Sequence, residues 1–236
     1  MTPTAPLPPA LPQRTRVKIC GLTREADVDA AVAAGVDALG FVLFDKSPRY
    51  VSPARARELA SRLPPFVTPV LLLVNASPAQ VQAAIQAVPH ALLQFHGDET
   101  VADCQAAGRA YIRAARIPVG AAGAGFDLLE YVQRFASAQA ILLDAHIDTY
   151  GGGGQSFDWT AFPWSHPQLN ASSRLVLSGG LDAANVTDGI RRVRPWAVDV
   201  SSGVEASKGI KDRQKILAFM TAVRAADASL HSSSPA

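Results

Sequence analysis

Two side chains that could exchange protons with a ligand stand at the ends of apolar runs. Cys20 closes the run at 16 to 20, and Asp144 directly follows the apolar residues 141 to 143. A thiolate can take a proton and a carboxylic acid can give one, so the two could act as general base and general acid. A cysteine in an apolar run is more commonly a packed residue. An aspartate there is costly to bury unless it is paired or functional, although it could also cap a loop.

Two short loops rich in glycine and serine follow later apolar runs. One contains Gly179 and Gly180, and the other contains Ser201, Ser202 and Gly203. Glycines let backbone N–H groups approach an anion, and a helix that starts there adds positive potential. Each loop alone could be only a tight connection, but two of them after the seventh and eighth runs favour a phosphate site. The expected ligand is therefore a phosphorylated small molecule.

The elements that must position these residues alternate along the chain. Eight runs rich in β-branched residues or leucine are predicted to be strands, at 16 to 20, 38 to 43, 67 to 74, 91 to 95, 110 to 114, 140 to 144, 174 to 178 and 197 to 201. Helical stretches are predicted between or after them, at 25 to 34, 53 to 63, 78 to 87, 126 to 135, 183 to 193 and 211 to 226. The interval after the sixth run holds a glycine loop and a short candidate helix near Trp159.

This alternation predicts right-handed βαβ units and a parallel sheet. Eight repeats favour closure into a single eight-stranded parallel (β/α)8 barrel, the TIM barrel of the α/β class, whose active site lies on the loops that follow the strands. An open doubly wound sheet is the alternative. Its glycine-rich dinucleotide turn is missing after the first strand, where the chain reads Cys20-Gly-Leu-Thr-Arg24.

Composition excludes several functional classes. The 236 residues are 48% hydrophobic with a net charge of +2 and no long basic run, so neither nucleic acid nor a membrane surface is an expected partner. Two cysteines and the lack of an apolar signal-peptide core in the first 16 residues predict a reduced, cytoplasmic protein. The Pro-rich residues 1–15 and the residues 227–236 are predicted to be flexible tails around a barrel domain at 16–226.

The histidines do not predict a metal centre. None of the five has the paired spacing of a zinc or iron site, and no cluster of carboxylates indicates magnesium. A proton-shuffling reaction on a sugar phosphate needs no metal, so no metal and no cofactor are expected.

Seven ordered blocks between residue 16 and about residue 224 closely resemble the motifs of phosphoribosylanthranilate isomerases. The blocks are Val17 to Thr23, Lys46 to Pro53, Gln94 to Glu99, Leu142 to Ala145, Gly151 to Trp159, Leu177 to Leu181 and Val198 to Glu205. The resemblance implies a cofactor-free eightfold barrel of tryptophan biosynthesis. Its reaction is the Amadori rearrangement of N-(5′-phosphoribosyl)anthranilate to 1-(2-carboxyphenylamino)-1-deoxyribulose 5-phosphate.

The same resemblance implies roles for individual residues. Cys20 would be the general base and Asp144 the general acid, in agreement with their chemistry. Arg49 would hold the anthranilate carboxylate, although on the residues alone it could be a solvated loop arginine. The family match also makes Asp199, Gln94 and His96 candidate substrate contacts and leaves a monomer or a homodimer as the expected assembly.

The proposed chemistry predicts two shifted protonation equilibria. Near neutral pH, Asp144 would need a raised pKa and Cys20 a lowered one. Lys18 lies two residues before Cys20 and points the same way from the strand. It is expected to form a structural ion pair with an interior carboxylate, or alternatively to favour the thiolate.

Three other functions remain to be separated from this one. Indole-3-glycerol phosphate synthase shares the phosphate site, but it needs lysine and glutamate at several strand ends that the runs do not supply. A barrel without catalysis could serve as a binding or assembly partner. A related ribonucleotide of histidine biosynthesis could be a second substrate.

Overall fold

A computed structural model describes most of the chain, namely residues 14–119, 125–146, 158–159, 162, 164, 166, 169 and 174–232. The predicted tail residues 1–13 and 233–236, the glycine loop at 151–154 and most of the interval around Trp159 lie outside the described residues. Within the described part, no helix is both long and apolar enough to cross a membrane.

Eight parallel strands close into a barrel in their order along the chain. They are β1 (Arg16–Cys20), β2 (Ala38–Val42), β3 (Thr68–Leu73), β4 (Leu92–Phe95), β5 (Tyr111–Pro118), β6 (Ala140–His146), β7 (Leu175–Leu177) and β8 (Ala197–Val200). The predicted barrel is thereby confirmed. Strand β5 is longer than predicted and continues past residue 114 to Pro118; Arg116, the charged residue of this extension, pairs with Asp98.

Seven α-helices lie in the described part of the chain. They are α1 (Glu25–Ala34), α2 (Pro53–Ala60), α3 (Pro78–Ala87), α4 (Val101–Ala106), α5 (Leu128–Arg134), α6 (Val186–Val193) and α7 (Arg213–Ser232). Between β8 and α7 lie a 3₁₀ turn (Ser202–Val204) and a two-stranded antiparallel ribbon, β9 (Glu205–Ser207) with β10 (Ile210–Lys211).

Local sequence explains several helix boundaries. Ser77 caps α3 through a reciprocal capping box with Gln80, and proline follows at the first helical position. Helix α6 begins later than predicted because the Asp182 carboxylate accepts hydrogen bonds from the backbone N–H groups of Ala184 and Asn185, which hold a turn there. Helix α7 extends beyond the expected end at 226, and Asp227 accepts hydrogen bonds from both the backbone and the hydroxyl of Thr15.

Strand alternation divides the barrel interior into layers. Alternate residues of each strand face inward, so an apolar floor formed by Val70, Ile112, Leu142 and Val176 packs together near the amino-terminal ends of the strands. On β6, Asp144 lies two positions after Leu142 and therefore faces the barrel interior as well. The polar groups therefore lie above the apolar floor, toward the carboxyl ends of the strands, and the opposite side chains pack against the helices in the main hydrophobic core.

Candidate active site

A cavity opens at the carboxyl ends of the strands, where the barrel fold places active sites. All the predicted site residues except Gly203 line it: Cys20, Arg49, Gln94, His96, Asp144, Gly179, Gly180, Asp199, Ser201 and Ser202. Gly203 directly follows Ser202 of the cavity lining, and a side chain at Gly203 would collide with the carbonyl oxygen of Leu181. Glycine at this position lets the loops after β7 and β8 approach each other.

Cys20 and Lys18 share the inner face of β1. The Lys18 Nζ donates a hydrogen bond of 2.9 Å to Asp199 Oδ1, and both side chains are buried. This is the interior ion pair expected of Lys18. Burial acts to lower the pKa of Lys18, but Asp199 and Cys20 together hold that pKa above its ordinary value. Burial raises the pKa of Asp199, and Lys18 opposes this effect.

Gly40 on β2 leaves the space that the thiol and the ammonium group occupy. A Cβ added at Gly40 would lie 2.8 Å from Cys20 Sγ and 3.1 Å from Lys18 Nζ. Both distances are shorter than a comfortable contact, so any larger residue would displace one of the two groups. Because Gly40 has no side chain, the Cys20 thiol and the Lys18 ammonium group can both pack against the β2 backbone at this residue.

The protonation of Cys20 differs from the expectation. Burial raises the pKa of the Cys20 thiol and Asp199 adds to this effect, while the positive charges of Lys18 and Lys211 oppose it without cancelling it. The predicted lowering of this pKa is wrong. A thiol enclosed by the barrel loses hydration of its anion, and one of its nearby lysines is already neutralised by Asp199.

A buried ionic cluster that the sequence did not predict surrounds Arg49. Its Nε and Nη2 each donate a hydrogen bond of 2.8 Å to the Glu205 carboxylate, and Lys211 Nζ donates to the same carboxylate at 2.8 Å. Burial acts to raise the pKa of Glu205, but Arg49 and Lys211 hold it below its ordinary value. Burial lowers the pKa of Lys211 despite Glu205. Arg49 is thus held rigidly at the cavity wall, and not as a solvated loop arginine.

A second chain of contacts reaches Asp144 from β4. Gln94 Nε2 lies 2.9 Å from His96 Nδ1, and His96 Nε2 lies 3.0 Å from Asp144 Oδ2. Gln94 is fully buried and its Oε1 has no hydrogen-bond partner among the described residues. The two candidate substrate contacts of the resemblance are therefore also neighbours of the predicted acid.

The loop after β4 is anchored so that His96 points into the cavity. The buried Glu99 carboxylate accepts hydrogen bonds from the backbone N–H groups of Asn75 and Gly97. Arg113 donates to Glu99 and to the carbonyl oxygens of Phe95 and Gly97. These contacts explain the conformation of the Gln94 to Glu99 block.

The predicted anion loops lie close to both reactive side chains. Gly179 has a φ of +80°, and a Cβ there would lie 2.6 Å from Ala145 N and 3.1 Å from Asp144 Oδ1. On the other side, the Ser201 hydroxyl donates a hydrogen bond of 3.0 Å to the Cys20 carbonyl oxygen. The two loops therefore hold the ends of β6 and β1 in place as well as lining the cavity.

Comparison with known proteins identifies the family. A family model described as N-(5′-phosphoribosyl)anthranilate isomerase matches residues 17–222. A relative of that name from Methylibium petroleiphilum is 63% identical over 91% of this chain and 96% of its own length. The crystal structure of phosphoribosyl anthranilate isomerase from Thermotoga maritima superposes with a TM-score of 0.78 at 38% identity, covering 89% of this chain and 99% of that one.

Another solved isomerase of this kind contains a ligand. It is described as a complex with reduced 1-(o-carboxyphenylamino)-1-deoxyribulose 5-phosphate, and it superposes with a TM-score of 0.74 at 37% identity, covering 89% of this chain and 99% of that one. The fold, the ordered motifs and the near-complete coverage agree with one another. The chain therefore belongs to the N-(5′-phosphoribosyl)anthranilate isomerase family.

Proposed function

We propose that this chain catalyses the Amadori rearrangement of N-(5′-phosphoribosyl)anthranilate in tryptophan biosynthesis, by general acid and base catalysis. One observation carries the proposal: Cys20 and Asp144, at the ends of β1 and β6, line a single cavity together with two glycine loops. Family membership supplies the substrate, and the cavity supplies groups of the right chemistry.

Asp144 is the general acid. It donates a proton to the ribose ring oxygen, which breaks the bond between that oxygen and C1′ and leaves a protonated Schiff base. Gly179 lets the loop after β7 pass close to Asp144 Oδ1, and His96 contacts Oδ2, so the carboxyl group has a defined orientation.

Cys20 is the general base. Its thiolate removes the C2′ proton, which the positive Schiff base has made acidic, and gives an enolamine. The raised pKa of Cys20 makes the thiolate a minor form near neutral pH. The charge of the Schiff base enters the same cavity and increases the share of thiolate at the step that uses it. Ketonisation then adds a proton at C1′ and releases one from the 2′-hydroxyl group.

Other predicted residues hold the substrate. Arg49 uses its Nε and one Nη2 proton on Glu205, so we assign its Nη1 group to the anthranilate carboxylate. The backbone of Gly179, Gly180, Ser202 and Gly203 is assigned to the phosphate, because the Ser201 hydroxyl already donates to Cys20. Asp199 orients the substrate amine or ribose through the oxygen that does not accept from Lys18.

Loss of substrate fluorescence during turnover tests the assignment. Cys20→Ala and Asp144→Ala should each lower kcat/KM by about 10²-fold or more, because each removes a proton-transfer group. Cys104→Ala is the matched control, since Cys104 is the other cysteine of the chain and is buried against helices outside the cavity. Activity near the wild-type level in either variant would refute that residue's role, and an inactive wild-type protein would favour a barrel without catalysis.

The assembly and the cellular location remain predictions. The sequence predicts a monomer or a homodimer in the cytoplasm, with a small molecule as the partner. Light scattering of the purified full-length chain would measure its mass in solution, and fractionation of the source cells would locate it.

A further inference from the structure

The acid step needs a proton that a carboxyl group does not ordinarily hold. Among the described residues, the titratable side chain in direct contact with Asp144 is His96, at 3.0 Å. An imidazole can carry a proton on either ring nitrogen or on both, so this contact can supply one to the carboxyl group.

Gln94 contacts the other nitrogen of the same ring. Because both atoms of a side-chain amide occupy nearly equivalent positions, Gln94 can present either its NH₂ group or its carbonyl oxygen to His96 Nδ1. With NH₂ toward the ring, Nδ1 is the acceptor and Nε2–H donates to an ionised Asp144. With Oε1 toward the ring, Nδ1 carries a proton, and one more proton is shared between His96 Nε2 and Asp144 Oδ2.

The amide therefore accommodates both proton counts of the pair. In the arrangement with fewer protons, Gln94 Oε1 is the buried oxygen left without a partner among the described residues. Turning the amide gives Oε1 the Nδ1 proton and leaves the NH₂ group without that acceptor. In each orientation one polar atom of Gln94 lacks a hydrogen-bond partner. The amide therefore does not favour one orientation over the other.

The charged groups around His96 and Asp144 do not favour one proton count of this pair over the other. Those facing it from the packed elements are Asp199, Lys18, Cys20, Arg49, Arg116 and Asp98. Lys18 pairs with Asp199 and Arg116 with Asp98, so each positive charge is offset by a negative one nearby. Arg49 is offset by Glu205.

We propose that Gln94 and His96 are positioning residues that keep a proton available to Asp144, with His96 as its immediate source. The proposal rests on the assignment of Asp144 as the general acid. The proton shared between His96 Nε2 and Asp144 Oδ2 moves fully onto Oδ2 and from there to the ring oxygen, which leaves Asp144 ionised. His96 is left neutral with its proton on Nδ1, held by Gln94 Oε1. The proton that the 2′-hydroxyl group releases on ketonisation restores the original count.

The pH dependence of kcat/KM tests this role in the full-length enzyme. Because the pKa of Cys20 is raised, the acid controls the limb where kcat/KM rises with pH at low pH. In His96→Asn this limb should move down by a unit or more, and kcat/KM at pH 7.5 should fall by about tenfold. Gln94→Glu should move the same limb upward, because a carboxylate at 94 stabilises the Nδ1 proton. His90→Asn, at an exposed histidine, is the control and should leave the profile unchanged. A purely structural role would lower activity at every pH without moving the limb, and that result would overturn the proposal.

A titration of the ring gives a readout without turnover. In ¹⁵N-labelled protein, the His96 signals, assigned by their loss in His96→Asn, should titrate at lower pH in Asp144→Asn than in the wild type. Equal midpoints would overturn the proposal even if Gln94→Glu failed to fold. If Asp144→Asn is inactive but the His96→Asn profile keeps its position, this inference fails while the proposed function stands. If Asp144→Asn keeps its activity, the proposed function fails.

Discussion

The two halves of the cavity differ in how their charges are arranged. Around Cys20, buried ion pairs join Lys18 to Asp199 and join Arg49 to Glu205. Lys211 is the second positive charge on the Glu205 carboxylate and the third in this half of the cavity. Asp144 contacts the His96 imidazole, whose other nitrogen contacts the Gln94 amide, and both groups can change their hydrogen-bonding roles with one proton.

This difference matches what each half has to do. Fixed ion pairs keep the electrostatic field around the thiol constant, so the share of Cys20 thiolate responds chiefly to the substrate's own charge. The acid side must lose and regain a proton in each cycle, and an imidazole that contacts an amide can hold either number of protons. One half therefore provides a constant field and the other provides an exchangeable proton.

Removing one member of the ion cluster should have the largest effect on stability. Glu205→Gln leaves Arg49 and Lys211 without their shared carboxylate, and breaking a buried pair in this way costs about 3–5 kcal/mol. Urea unfolding should show that loss of unfolding free energy. Asp29→Asn, which removes an exposed pair with Arg62, is the control and should cost less than about 1 kcal/mol. Similar losses in the two variants would mean that the cluster is not the rigid half of the site.

Filling the space beside the thiol should have a smaller but distinct effect. Gly40→Ala forces Cys20 or Lys18 to move, and overpacking of this kind costs about 1–3 kcal/mol of stability. A fall in kcat/KM should accompany the lower thermal midpoint. Gly125→Ala is the control because an added Cβ there meets nothing within 4 Å. Unchanged activity in Gly40→Ala would contradict the close approach of the thiol and the ammonium group.

The positive charge of Lys18 should have a measurable effect on the pKa of the Cys20 thiol. In a Cys104→Ala background, where Cys20 is the remaining cysteine, Lys18→Met should raise the pKa of Cys20 by about one unit. The rate of alkylation by iodoacetamide against pH gives this value. An unchanged pKa would show that Lys18 serves only as the partner of Asp199.

Cys104 provides the smallest expected effect and a reference thiol outside the cavity. Burial raises its pKa to about 11. Because the folded pKa lies above the unfolded one, the neutral thiol contributes stability at low pH, and that contribution is lost as the pH rises from about 8.5 toward 11. Cys104→Ala should therefore flatten the decline of the thermal midpoint over this range. An identical decline in both proteins would contradict the raised pKa.

The sequence predicted the site residues that lie at the ends of strands. Cys20 and Asp144 each end an apolar run, and strand alternation places both on the inner face, so their meeting at the barrel mouth follows once eight strands are recognised. The barrel and the family were confirmed.

Contacts between distant segments could not be read in the same way. Glu205 and Lys211 belong to a small ribbon after β8 and meet Arg49 only because the loop after β2 folds over them. His96 reaches Asp144 from a strand two positions away in the barrel, which no local pattern encodes. The raised pKa of Cys20 depends on the balance of burial against these charges, so it too required the structure.

The division of labour between the two halves is tested most directly by a primary kinetic isotope effect on kcat/KM with substrate deuterated at C2′. In Cys20→Ser, a weaker base makes removal of the C2′ proton limiting, so the isotope effect should be at least as large as in the wild type. In Asp144→Asn, ring opening should become limiting and the isotope effect should fall close to one. Equal isotope effects in the two variants, or a larger one in Asp144→Asn, would contradict the assignment of Cys20 to the carbon-bound proton and of Asp144 to the ring oxygen.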